Sequence, residues 1–282
     1  ISATINTKKT ILTHSCTGAL EMCAILSNIK AGDQVIVPSN TFSSTANAFA
    51  LRGAKLIFSD CSYSTLNIEP SHIEKLITKK TKCIVVVHYA GISCDMDPIM
   101  EIAKKNNCFL IEDAAQAYMS KYKNKMLGSL GDFSTFSFHQ TKNIISGEGG
   151  SLLINNKKFI ERAIVIKDKG TNRSNYLKGK VDKYTWKDIG SSYGPSELTS
   201  AFLFSQLKKS KIITNKRIKI WNKYYKALKL LEKKENIKLP TIPKYSRHNG
   251  HMFYLILSKK YNRSKIMEKM RLKGVMVTSH YT

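Results

Sequence analysis

The chain has 282 residues, 42% of them hydrophobic and 23% charged, with 46 basic and 20 acidic side chains for a net charge of +26. That length supports one large domain and a smaller one around a substantial core, and no apolar run approaches the roughly 20 residues that a membrane helix needs. The charge invites a nucleic-acid partner, but only 7 of the 46 basic residues are arginine, the side chain suited to base and phosphate forks, and residues 204–282 alone hold 21 basic and 3 acidic residues. Lysines mixed with Ile and Asn suit solvated helix faces, and an anionic small substrate is the more economical use of the field they make.

In chain order, "SCTGALEMCAILSNIKAG" has the spacing of a helix, capped by Ser15 or Thr17 and ended at Gly32. "QVIVPS" predicts a short strand stopped by Pro38, "FSSTANAFALRG" a second helix, "AKLIFSD" a strand and "EPSHIEKLI" a short helix. "CIVVVHY" is an apolar strand of the kind buried on both faces. "DPIMEIAKKNN" then predicts a helix and "CFLIEDAAQ" a strand with polar residues at its carboxyl end. Strict alternation of this kind predicts βαβ units, hence an α/β fold with a mostly parallel central sheet and helices on both faces. From about Gly194 one long helix is expected over "SELTSAFLFSQLKKSKIITNKRIKIWNKYYKALKLLEKK", broken by Pro240 and Pro243. A strand over "HMFYLIL" and a helix over "RSKIMEKMRLKG" follow. The expected division is therefore a large domain over 1–193 and, over 194–282, a connecting helix with part of a smaller α+β domain.

The six cysteines, Cys16, Cys23, Cys61, Cys83, Cys94 and Cys108, show no C-x-x-C spacing and no accompanying histidine cluster. A metal site is a poor reading of them, and buried free thiols in a reducing cytoplasm a better one.

In such sheets ligands bind beyond the carboxyl ends of the strands, and four features collect there. Lys142 lies between the strand-like "FSTFSF" and the glycine-rich "SGEGG". A partly buried amine there has a lowered pKa and becomes a nucleophile. Asp113, at the end of a buried strand, needs a partner; a salt bridge or helix cap is one reading, and an anionic counterpart to a protonated ring nitrogen is the other. The helix start "SCTGALEM", with Thr17 and Gly18, offers hydroxyls and backbone N–H groups to a phosphate. Phe42 offers a ring that stacks on a flat ligand or packs in the core. Together these are the attachments that pyridoxal 5'-phosphate needs.

"FSFHQTKNIISGEGG" resembles the lysine motif of the DegT/DnrJ/EryC1/StrS sugar-nucleotide aminotransferases. "SCTGALEM", "DQVIVPSNTFSSTANAFALRGA", "HYAGISCDMD" and "IEDAAQAY" are similar to that family's other blocks, in the same order. "KGTNRSNYLKGKVDKYTWKDIGSSY" resembles the dTDP-4-amino-4,6-dideoxygalactose transaminase subgroup. The resemblance implies the type I aminotransferase fold, with Lys142 carrying pyridoxal phosphate and moving the proton. It implies Asp113 facing the pyridine nitrogen, Gln116 the phenolic oxygen, and Phe42 stacking on the ring. Thr17, Gly18 and Ser137 would hold the phosphate, joined from the partner subunit of a homodimer with shared active sites by Ser192. The implied substrates are glutamate and a dTDP-4-keto-6-deoxyhexose, the implied context cytoplasmic supply of a surface polysaccharide. Relatives start earlier and extend further, so parts of the sugar site and small domain are expected to be missing. A dehydratase of the family would have histidine in place of Lys142; a catalytically dead scaffold with a binding or regulatory role is the non-enzymatic alternative.

Overall fold

The computed structural model describes residues 1–234 and 237–281. Its strands are β1 Lys9–Thr13, β2 Gln34–Pro38, β3 Lys55–Ser59, β4 Thr81–Val87, β5 Phe109–Asp113, β6 Lys121–Tyr122, β7 Lys125–Met126, β8 Phe133–Ser137, β9 Gly150–Ile154 and β10 Ser246–Arg247. The helices are α1 Ser2–Ile5, α2 Cys16–Leu26, α3 Ser43–Ala50, α4 Pro70–Leu76, α5 Met96–Lys105, α6 Ile160–Lys167, α7 Arg173–Leu177, α8 Glu197–Lys208, α9 Ser210–Lys234 and α10 Arg263–Leu272.

Seven strands form one sheet in the order β1-β9-β8-β5-β4-β2-β3. β3, β2, β4, β5 and β8 pair in parallel, and β9 runs antiparallel to both β8 and β1. Side chains alternate across such a sheet with a period of two. Ile36, Ile84, Val86 and Leu110 therefore join a core with Ile73 of α4, Met96 and Ile99 of α5 and Leu203 of α8. Val35, Val37, Cys83, Val85 and Ile111 join a second core with α2, Phe49 of α3 and Ile166 of α6. The result is three layers with helices on both faces, as the βα alternation predicts. A small sheet, β10-β6-β7, links residues 246–247 to the segment after β5.

Two expectations are corrected. The long helix after Gly194 is two helices, because Lys209 sits at φ −97°, ψ 1° and turns the chain between α8 and α9. "HMFYLIL" is not a strand: in that stretch a lone bridge joins Ile256 to Lys238. The carbonyls of Gly250, His251 and Met252 instead accept from Arg217 and Trp221 of α9. β-propensity reports a surface that suits pairing, and here α9 side chains supply the partners instead of a ladder.

Candidate active site

The carboxyl ends of β4, β5 and β8, the N-termini of α2 and α3, and the turn between β8 and β9 enclose a cavity of about 430 Å³. Thr17, Phe42, Asp113, Gln116, Ser137 and Lys142 all line it. Six of the eight residues expected from the sequence are thus brought together. Gly18 and Ser192 lie outside its lining.

Lys142 is half-buried, on a turn held by Lys142 N–H donating to the His139 carbonyl at 2.9 Å. Burial pulls its ammonium below the ordinary lysine range, and the neighbouring Cys16 and Asp113 partly counter that pull. Asp113 is buried; Thr45 Oγ1 donates to its Oδ2 at 2.6 Å and the Ala115 N–H to its Oδ1 at 3.1 Å. Burial nevertheless leaves its carboxyl above the usual range. Two donors do not compensate for removing a carboxylate from water, so this one favours an added cation.

Gln116 accepts the Ala90 N–H on Oε1 at 2.6 Å, which turns its amide nitrogen toward Tyr281 Oη at 2.8 Å. Phe42, the N-cap residue of α3, is 57% exposed, with its ring 6.1 Å from that of Tyr281. A ring left this open at a cavity wall contributes little to the core. Thr17 Oγ1 donates to Ser44 Oγ at 2.9 Å, and the buried Ser137 ends β8. At the α2 start the Gly18 N–H is bonded to Ser15 Oγ at 3.0 Å, so Ser15 is the cap, while Thr17 and Ser137 line the cavity. Ser192 is exposed and bridges to Asp168.

The sequence reading missed Thr45, Cys16, His280 and Tyr281, which also line the cavity. Thr45 lies on the first turn of α3, three residues after Phe42, but which way that turn faces is a tertiary fact. His280 and Tyr281 come from a stretch with no periodic signal, and His280 packs against Tyr89 with ring centroids 5.9 Å apart.

The sequence profile of the DegT/DnrJ/EryC1/StrS aminotransferase family matches residues 1–282. The chain belongs to this family. Among curated members, GDP-perosamine synthase of Escherichia coli O157:H7 is 38% identical over 216 residues, which are 76% of this chain and 57% of that protein. The spore coat polysaccharide biosynthesis protein SpsC of Bacillus subtilis is 33% identical, over 92% of this chain and 67% of its own. Among solved structures, an aminotransferase from Psychrobacter cryohalolentis superposes with a TM-score of 0.90 at 31% identity, covering 98% of this chain and 73% of that one.

The family's aminotransferases depend on pyridoxal phosphate. The cavity fits that cofactor: a half-buried amine, a buried carboxyl short of donors, an open aromatic ring and two hydroxyls share one wall system. Among the described residues no helix is long and apolar enough to cross a membrane.

Proposed function

We propose that the protein transfers an amino group from glutamate to C4 of a dTDP-4-keto-6-deoxyhexose, in a pathway that supplies a surface polysaccharide. The observation that carries the chemistry is the pairing of Lys142 with Asp113 across one cavity, each shifted by burial toward its neutral form. When bound, the cofactor supplies an electrophilic carbonyl and an electron-withdrawing ring. Lys142 Nζ would hold it covalently, and the same amine would hold and return the proton at the reacting carbon. The Asp113 carboxylate would face the ring nitrogen and keep it protonated. The Gln116 amide donates to the phenolic oxygen, and Phe42 covers one flat face and excludes water. Thr17 and Ser137 would hold the phosphate at the start of α2, beside the backbone of Gly18. GDP-perosamine synthase and SpsC, by their names, support a sugar-nucleotide substrate and a polysaccharide context.

The same reading includes a homodimer with shared sites. Ser192 is exposed and outside its own chain's cavity, where a residue serving a partner's phosphate would lie. Leu198 and Phe202, one turn apart on α8, are 85% and 50% exposed nearby in sequence, an apolar pair suited to burial between subunits.

The test is borohydride reduction of the protein loaded with pyridoxal phosphate, followed by peptide mapping. A pyridoxyl mass on the Lys142 peptide is expected. A label elsewhere, or none in folded protein, overturns the reading. The donor and acceptor are then tested by formation of 2-oxoglutarate and of a dTDP-4-amino sugar.

A further inference from the structure

Behind the cavity wall, one residue joins the two segments that carry its chemistry, through its side chain on one side and its backbone carbonyl on the other. Asn249 is 1% exposed. Its Nδ2 donates to the Gln116 carbonyl at 2.9 Å and to the Tyr118 carbonyl at 2.8 Å. Its Oδ1 accepts the His251 N–H at 3.0 Å, and its own carbonyl accepts Asn143 Nδ2 at 3.0 Å. Asn143 directly follows Lys142, and its Oδ1 lies 3.0 Å from His251 Nδ1. Because the amide nitrogen of Asn143 faces Asn249, its oxygen faces His251 as an acceptor, so the hydrogen sits on Nδ1 of that ring.

The segment is itself anchored. Arg217 Nε donates to the Gly250 carbonyl at 3.1 Å, Arg217 Nη2 to the His251 carbonyl at 2.6 Å, and Trp221 Nε1 to the Met252 carbonyl at 3.1 Å. Gly91, at φ +77°, leaves the room this requires: a Cβ there would lie 2.1 Å from Asn249 Oδ1. A buried asparagine that only completes a core bonds to whatever backbone is nearest. This one bonds to the carbonyl of Gln116 on one side and, through Asn143, to the turn that presents Lys142 on the other.

We infer that Asn249 is a positioning residue for the cofactor site, holding the Asp113–Gln116 segment and the Lys142 turn in register from the α9 side of the molecule. The inference rests on the proposed function to the extent that Lys142 carries the cofactor. Asn249→Ala removes the tie to Gln116 and Tyr118, while Asn143→Ala removes the tie to the Lys142 turn. If the two ties act as one strut, cutting either releases it and cutting both adds little.

The experiment titrates pyridoxal phosphate into the full chain, both single variants and the double variant. It reads the dissociation constant and the pyridoxyl label on Lys142. Each single variant is expected to weaken binding about 10-fold, the scale of one or two buried hydrogen bonds, and the double to fall well short of the roughly 100-fold product. Parent-like affinity in folded variants, or effects that multiply, overturn the inference. Hydrogen exchange on the unmutated protein decides it even where variants do not fold. Loading the cofactor should slow exchange at residues 247–252 together with 113–118 and 139–144, and unchanged exchange at 247–252 overturns the strut. A parent that takes no label at Lys142 removes the cofactor reading and this inference with it. A labelled parent with uncoupled segments removes this inference alone.

Discussion

Glu112 and Asp113 are adjacent carboxylates at the end of β5, both buried, and they face opposite sides of the sheet with opposite outcomes. Glu112 is surrounded by donors: His88 Nε2 at 3.1 Å and the N–H groups of Gly128, Leu130 and Gly131 at 2.8–2.9 Å. His88 Nδ1 accepts the Cys94 N–H at 3.2 Å, so its Nε2 carries the hydrogen that Glu112 receives. Burial alone would raise the Glu112 carboxyl, but the His88 contact and the amide donors outweigh it, and the group lies below its ordinary range. Asp113 accepts from two groups and stays above its ordinary range. At equal burial, the donors aimed at a carboxylate decide whether it is a fixed part of the scaffold or a site still able to accept a cation.

The contrast is sharpest in Asp113→Asn. On the proposed reading, in which the Asp113 charge keeps the ring nitrogen protonated, its loss should cost about 2–4 kcal/mol in the barrier, roughly 30- to 1,000-fold in the half-reaction with glutamate. Cofactor binding should change less, because the phosphate contacts persist. Stopped-flow rates equal to those of the parent would show that Asp113 is as structural as its neighbour.

Glu112→Gln should do the reverse. Replacing a fully hydrogen-bonded buried carboxylate weakens four contacts and sets an amide NH₂ against existing donors, at about 2–3 kcal/mol of folding stability. In a chain of this size that lowers the thermal midpoint by roughly 3–5 °C, measurable by calorimetry. A midpoint unchanged within error would break the comparison from the other side.

The two carboxyls should also separate by pH in the cofactor-free protein. The pKa of Asp113 is raised on folding, so its burial costs stability as pH rises through its unfolded value and up to its folded one. Asp113→Asn should therefore be the more stable protein at pH 7, and the gain should vanish below about pH 3.8. The pKa of Glu112 is lowered, so its contribution is fully present above its unfolded value and is lost as pH falls through the folded one. The deficit of Glu112→Gln should shrink over that acid range. Midpoints measured from pH 7 to pH 3 check both signs.

The smallest effect expected is that of Thr45→Val, which removes one of the two Asp113 donors. It should push the Asp113 carboxyl further up and slow the glutamate half-reaction by about 10-fold or less, roughly 1 kcal/mol. An effect as large as that of Asp113→Asn would mean that Thr45 meets the reactants itself.

The parts visible in the sequence were those governed by local pattern. Alternating apolar runs predict the parallel sheet, the carboxyl-end rule leads to Asp113, and a lysine between a strand and "SGEGG" leads to Lys142. What was missed depends on contacts between distant segments. Glu112 stands beside Asp113 in the same quoted stretch, but its donors come from 88 and from 128–131. "HMFYLIL" has a strand's composition, while the availability of Arg217 and Trp221 is not written in it. Either Ser15 or Thr17 fits the cap of α2 by sequence, and the structure selects Ser15, whose Oγ takes the Gly18 amide.

The lysine turn closes a hairpin between neighbouring antiparallel strands. Phe138 N–H reaches the Gly149 carbonyl and Gln140 N–H the Gly147 carbonyl, both at 2.8 Å. The Thr45–Asp113 contact spans 68 residues and depends on parallel crossovers. Hairpins form in microseconds, whereas pairings that close long loops wait for most of the chain. During refolding the amides of Phe138 and Gln140 should thus gain protection ahead of the Ala90 amide that Gln116 holds. The Lys142 turn is then formed before the Asp113 carboxyl reaches it, and until the crossovers close the cavity its amine is as solvated as any surface lysine.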